Sequence, residues 1–220
     1  SWIEEQDITL QVHKPFNPRY VEHYPGAALL QNKGADWRKQ VPTLGHSIQL
    51  HGTQDNPSTH GRFFFIGCRT EGAEVVFFTY NYAFWSDDLG KSWHIGDTIT
   101  LREDGSSARG LNEASAVELA DGSIMVNSRN YQNGKVVGVR AVTLGKFDKD
   151  DQLRFGTVRH DPALIDSGVQ ASLLKHQTPQ GTLLVFTHPG HPRARKDLTL
   201  HLSLDEGKTW PYKKLLDPGL

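Results

Sequence analysis

Two residues of opposite charge, Glu113 and Arg129, lie near the two ends of a stretch that reads as a hairpin: GLNEASAVELADGSIMVNSRNY, from Gly110 to Tyr131. Asp121-Gly122 is a strong turn signal, because its glycine accepts the positive φ of a tight turn. Ala116, Val117 and Leu119 supply the apolar positions of a first strand over 114–119. The return strand over 123–130 alternates, with Ile124, Val126 and Ser128 on one side and Met125, Asn127 and Arg129 on the other. Ala116 lies six residues before Gly122 and Ser128 six after it, so these two ends are expected side by side. Glu113 and Arg129 then fall at one end of the hairpin. A salt bridge in that place is commonplace in folded proteins. What gives the pair further meaning is the rest of the chain.

Other groups capable of chemistry read more plainly. Arg193, Arg195 and Lys196 form a basic run within THPGHPRARKDLTLHL, which by itself describes an exposed segment. His188 and His191 have the spacing of paired ligands, but Pro189 and Pro192 forbid the helix that would align them on zinc. The 11 histidines are scattered, and neither a metal nor a cofactor is expected. Cys68 follows FFFIG, reads as a core-edge residue, and as the sole cysteine has no internal disulfide partner. Glu103 to Gly110, EDGSSARG, reads as a loop just ahead of Glu113.

These residues must be carried by strands. Long helical patterns are absent, and 21 glycines with 11 prolines fit short strands joined by many turns. Lys and Arg number 24 against 25 Asp and Glu, so no bulk field favours nucleic acid. No apolar run approaches the roughly 18 residues of a membrane-spanning helix. Ser86 to Trp93 reads SDDLGKSW and Ser203 to Trp210 reads SLDEGKTW, both fitting S-x-D-x-G-x-[ST]-W. In each, the aspartate (Asp88, Asp205) is placed to accept hydrogen bonds from its own turn. The glycine (Gly90, Gly207) takes the left-handed position, and the tryptophan packs beneath. A degraded copy, DKDDQLRF, keeps Asp150 and the terminal aromatic Phe155, and Ser1-Trp2 matches the last two positions of another. Between these turns lie strand-like runs at Arg62 to Cys68, Glu74 to Tyr80, Val136 to Thr143, Thr182 to Thr187 and Asp197 to Leu202. Several strands per repeat of roughly 55 to 60 residues predict an all-β fold, a β-propeller of four-stranded blades; a β-sandwich is the second choice. The polar stretch at 10–40 reads as an inserted loop within a blade.

With these turns, with GHSIQL at Gly45 to Leu50 and with Asn112-Glu113 ahead of ADGSIMVNSRN, the chain resembles the sialidase (neuraminidase) superfamily over nearly all its length. The resemblance implies a six-bladed propeller, represented here by roughly three and a half blades. In that family three arginines hold the carboxylate of sialic acid. Arg129 matches the one on the hairpin, and Arg195, eight residues before Ser203, matches another, with Arg193 the second claimant. Glu113 matches the glutamate that assists a tyrosine nucleophile, the feature that sets sialidases apart from two-carboxylate glycosidases. The first arginine, the acid/base aspartate, the nucleophile and the glutamate that holds the first arginine would fall outside positions 1–220, so the chain reads as an interior piece. The implied activity is exo-α-sialidase acting on sialylated glycans or glycoconjugates, with remaining blades expected from further sequence. The alternative is an inactive propeller that binds acidic sugars or protein. A secreted, periplasmic or cell-surface place in a bacterium is expected ahead of a lysosomal one.

Overall fold

Antiparallel pairing of neighbouring short strands builds three sheets, each the product of one repeat. A computed structural model of the chain describes residues 5–12, 37–43, 45–54, 56–71, 79–179 and 181–219. In the first sheet, β1 (Trp37–Pro42) and β2 (Ile48–Gln49) both pair with β3 (Phe63–Glu71) as two pieces of one inner strand; β4 (Tyr80–Ser86) and β5 (His94–Thr98) follow outward. The second sheet runs β6 (Leu111–Glu118), β7 (Ile124–Gln132), β9 (Val139–Phe147), with β10 (Leu153–Phe155) and β11 (Arg159–Ile165) sharing the outer edge of β9. Here β8 (Lys135–Val136) pairs only with the end of β7. The third sheet is β12 (Ser172–Thr178), β13 (Gly181–Pro189), β14 (Leu198–Ser203) and β15 (Tyr212–Asp217), in that order. Three successive antiparallel blades of a propeller result.

The blades are joined by their faces. Phe64, Ile66, Ala83 and Trp85 of the first blade pack on Ala114, Ala116, Ile124 and Val126 of the second. Val117, Met125 and Val142 on the second blade's other face pack on Leu173, Leu184 and Phe186 of the third. The alternation read along β7 is therefore real, but both of its sides are buried, one against each neighbouring blade. The register differs by two from the sequence expectation: Ala114 pairs with Ser128, and Ala116 with Val126. The expected strand over 136–143 is also broken, with Gly138 at φ +94° between β8 and β9. Most of the expected strand at 74–80, the partial motif at Ser1-Trp2 and residues 13–36 of the stretch read as an inserted loop lie outside the described residues. At the start of that stretch, the short helix α1 (Thr9–Val12) places Val12 against Trp37, Tyr82 and Phe84 of the first blade.

Both full copies of the turn motif join the third strand of a blade to its fourth, and their internal bonds match. The Ser86 and Ser203 hydroxyls donate to Asp88 and Asp205 at 2.9 and 2.7 Å, and accept the amides of Gly90 and Gly207 at 2.8 Å. Each aspartate accepts an amide and a hydroxyl from Ser92 or Thr209, between 2.6 and 2.9 Å. The degraded copy works differently. Asp148, at the serine position, accepts the amides of Asp150 and Gln152, both at 2.9 Å, and the chain enters β10 directly.

Between these turns sits a charged clamp. Arg62, 2 % exposed, reaches Asp87 of the first turn at 2.7 and 3.1 Å and Asp151 of the second blade's turn at 3.0 and 2.7 Å. Its guanidinium lies over the rings of Trp85 and Phe147 at 5.0 and 4.5 Å. Losing one partner of a buried pair costs about 3–5 kcal/mol, and the low end applies because both carboxylates still reach water. Arg62→Ala should lower the urea midpoint accordingly, and a loss within error would mean that the clamp contributes nothing.

The two motif aspartates also give the protein an acid limit. The Ser92 amide and hydroxyl hold Asp88 down to about 2 from its usual 3.8. Burial opposes the charge of Asp205, but the Thr209 and Ser203 bonds overcome it and leave that carboxyl also at about 2. Their stabilisation is complete above about pH 4 and is lost as the pH falls toward 2. Melting temperature followed over that window should drop less steeply in Asp88→Asn/Asp205→Asn than in the parent; parallel curves would contradict this.

Candidate active site

The β6–β7 pair carries the turn at Asp121-Gly122 at one end and Glu113 with Arg129 at the other. The repeat turns share the Asp121 end, as Lys146, next to the Asp148 turn, approaches Asp121 (3.9 Å) and the Ala120 amide donates to Glu206 (2.7 Å). The candidate groups thus occupy the opposite face.

A bulge aims Glu113. Pairing shifts by one residue between Leu111, opposite Asn130, and Ala114, opposite Ser128, and Asn112 and Glu113 occupy the shift. Bulges of this kind re-aim side chains at strand ends. Arg129 Nη1 donates to Glu113 Oε2 at 2.8 Å, with both side chains largely but not fully covered. Arg129 Nη2 donates to the Tyr131 hydroxyl, and the guanidinium lies 4.8 Å from that ring's centroid. A guanidinium offers five N–H groups, so both terminal nitrogens retain a donor for an incoming anion.

Arg195 approaches from the third blade. The turn joining β13 to β14 is stapled by His191, whose Nδ1 accepts the amides of Arg193 and Ala194 at 3.1 and 3.0 Å, and by a Gly190-to-Asp197 bond of 2.8 Å. Arg195 projects from it and donates through Nη2 to the Gly168 carbonyl at 3.4 Å. Gly168 in turn packs on Tyr131, for a Cβ there would lie 3.2 Å from the Tyr131 hydroxyl. Arg195 is thereby brought within one backbone group of the residue that Arg129 touches.

Behind this surface lies charge that the sequence did not announce. Arg140, 1 % exposed, donates to Asn127 Oδ1 at 2.7 Å and the Val169 carbonyl at 3.0 Å, and sits 3.5 Å from Asp166. Burial pushes its guanidinium down to about 10; Asp166 and Glu113 oppose the drop and Arg129 adds to it. Arg102, also buried, holds the Tyr131 carbonyl at 2.9 Å and the Ser107 carbonyl at 3.2 Å, so the 103–110 segment is tied to the end of β7. His188, read beside His191 for its spacing, is buried against Phe186 and His201.

Three consecutive four-stranded blades, bound at their faces, the first and third closed by matching S-x-D-x-G-x-[ST]-W turns (Asp boxes), define a segment of a β-propeller with a cationic site on the face away from those turns. The model of the BNR repeat-like domain family matches residues 22–220. The chain belongs to that family and to the sialidase superfamily. It is 30 % identical over 141 residues to the sialidase of Micromonospora viridifaciens, covering 61 % of this chain and 20 % of that one. To the sialidase of Vibrio cholerae it is 30 % identical over 186 residues, 77 % of this chain and 23 % of that one. The solved structure of a Hadza microbial sialidase superposes with a TM-score of 0.65 at 27 % identity, covering 86 % of this chain and 33 % of the other. The chain therefore spans about a fifth of the length of these curated relatives.

Cys68 offers a chemical probe of the site. Its sulfur lies 3.9 Å from Asn112 Oδ1, and burial, aided by the charge of Glu113, pushes the thiol up to about 11 from 9.0. At neutral pH that leaves roughly a hundredth of the ordinary thiolate. Labelling by a disulfide reagent should be slow in the folded protein, faster in Glu113→Gln and fastest on unfolding. Equal rates for the parent and Glu113→Gln would separate Cys68 from Glu113.

Proposed function

We propose that these residues form part of the active site of an exo-α-sialidase that removes terminal sialic acid from glycans or glycoconjugates with retention. The observation that carries the reading is the 2.8 Å Arg129–Glu113 pair at the blade end, with Arg195 linked to it through the Gly168 carbonyl and Tyr131. Arg129 and Arg195 bracket the sugar carboxylate. Arginine suits the task because its planar fork matches a carboxylate and never loses its charge. Glu113 serves as the base that takes the phenolic proton of a tyrosine nucleophile, so that the oxygen attacks the anomeric carbon. A phenol is preferred there to a carboxylate nucleophile, which the substrate's own negative charge would repel. The substrate carboxylate and Glu113 share Arg129 through separate N–H groups, so the pair need not break for binding.

The nucleophile, the acid and the first arginine are assigned to blades outside these 220 residues. A secreted, periplasmic or cell-surface location follows from this reading, since sialylated glycans are met there. The second reading is a propeller that binds acidic sugars or protein without turnover.

The test is release of a fluorescent aglycone from an α-sialoside. Loss of general acid catalysis alone typically costs 10²–10⁴-fold, and without a nucleophile the covalent route is closed. The 220-residue chain alone should therefore show no turnover, while the full-length protein should. In the latter, Arg129→Ala should chiefly raise KM, because the clamp holds ground and transition states alike, and Glu113→Ala should chiefly lower kcat. Turnover by the isolated chain would mean that the catalytic groups are misassigned. A full-length protein that binds sialic acid without hydrolysis would establish the second reading.

A further inference from the structure

Asp166 is 2 % exposed and belongs to neither the repeat turns nor the charged surface of the site. Its two oxygens hold two different segments. Oδ2 accepts the Asn130 amide at 2.7 Å, between Arg129 and Tyr131 on β7. Oδ1 accepts the Gly168 amide at 2.8 Å, in the turn whose carbonyl receives Arg195. Gly168 sits at φ +75°, and a side chain there would strike Val136 at 2.6 Å, so this turn has one way to lie against Tyr131. Asn130, fully buried, is gripped again by Arg102 at 3.1 Å and through the Val139 carbonyl at 3.1 Å. Buried Arg140 balances the Asp166 charge at 3.5 Å.

We propose that Asp166 is a positioning residue that sets the spacing between Arg129 and Arg195 by holding the Asn130 and Gly168 amides with one carboxylate. The inference rests on the reading of these arginines as a carboxylate clamp. An ionised carboxylate is the side chain suited to the place: both oxygens accept, and each meets an N–H. An asparagine would turn its NH2 toward one of the two amides and release either β7 or the 166–168 turn.

The experiment uses the full-length protein, with calorimetric binding of free sialic acid, steady-state hydrolysis of the fluorogenic α-sialoside, and amide exchange at Asn130 and Gly168. Asp166→Asn is paired with Asp166→Asn/Arg140→Gln, which removes both buried charges together. Asp161→Asn is the control, since Asp161 is an equally buried carboxylate of the second blade bonded to the Trp210 indole and to neither segment. Outer partners of a binding group typically matter by factors of 10–100, so Kd and KM should each rise about tenfold or more with kcat little changed. One of the two amides should lose protection, and Asp161→Asn should bind as the parent does. An unchanged Kd in a folded Asp166 variant, or a loss matched by Asp161→Asn, would overturn the proposal. Failure of both Asp166 variants to fold would overturn it as well and leave the residue a structural one. A parent that binds no sialic acid would bring down the clamp reading, and this inference with it, before any variant is compared.

Discussion

The β6–β7 pair is enclosed on both faces, and a strand pair so placed has no water to satisfy its polar side chains. Partners come from the adjoining blade and from the next strand of the same blade. From the first blade comes Asn81, wholly buried, which donates to the Asn112 carbonyl at 2.6 Å and accepts the Ser128 hydroxyl at 2.8 Å. On the other face Arg140 grips Asn127. The end of the hairpin that bears Glu113 and Arg129 is thus fixed from two sides, and the bulge at Asn112-Glu113 is held open by bonds to its own backbone. The surface that bears these two residues is a product of blade stacking more than of any one blade.

The repeat turns and the blade interfaces divide the work between them. The serine, aspartate and glycine of each Asp box close their own turn, and their geometry is the same in both copies. The tryptophans do not repeat so faithfully. Trp93 donates its indole N–H to Gly90 in its own turn at 3.0 Å, whereas Trp210 donates to Asp161 of the preceding blade at 3.0 Å. Local sequence dictates the turn, and the neighbouring blade dictates where the large ring finds its hydrogen bond. Arg62 extends the same logic by using a variable position of one turn, Asp87, and Asp151 of the next to tie two blades together.

What was legible in the sequence was what is local. The hairpin, both Asp boxes and the strands near 62–68, 182–187 and 197–202 carry their signals within a few residues. The hairpin register went astray because Gly122 is the last residue of its turn and not the centre. The Leu119 amide bonds to the Ser123 carbonyl at 2.7 Å, which centres the loop on Asp121 with Gly122 at φ +77°. In the degraded copy Asp150 fits the motif letter, but Asp148 holds the turn, because the chain leaves it too early to use Asp150. Asn81 acts across blades, while Arg140 and Asp166 tie strands and turns of the second blade; their partners have no fixed spacing in the sequence, and no periodicity marks them. Tyr131 was within reach, since a residue two beyond Arg129 on a strand shares its face.

In the proposed function, Arg129 and Arg195 hold one carboxylate beside Glu113. The most direct measurement is a crystal structure of the full-length protein with bound sialic acid. Guanidinium nitrogens of both arginines should lie about 2.7–3.1 Å from the oxygens of the same carboxylate, with Glu113 still within reach of Arg129. A sugar whose carboxylate meets neither arginine, or only one of them, would contradict it.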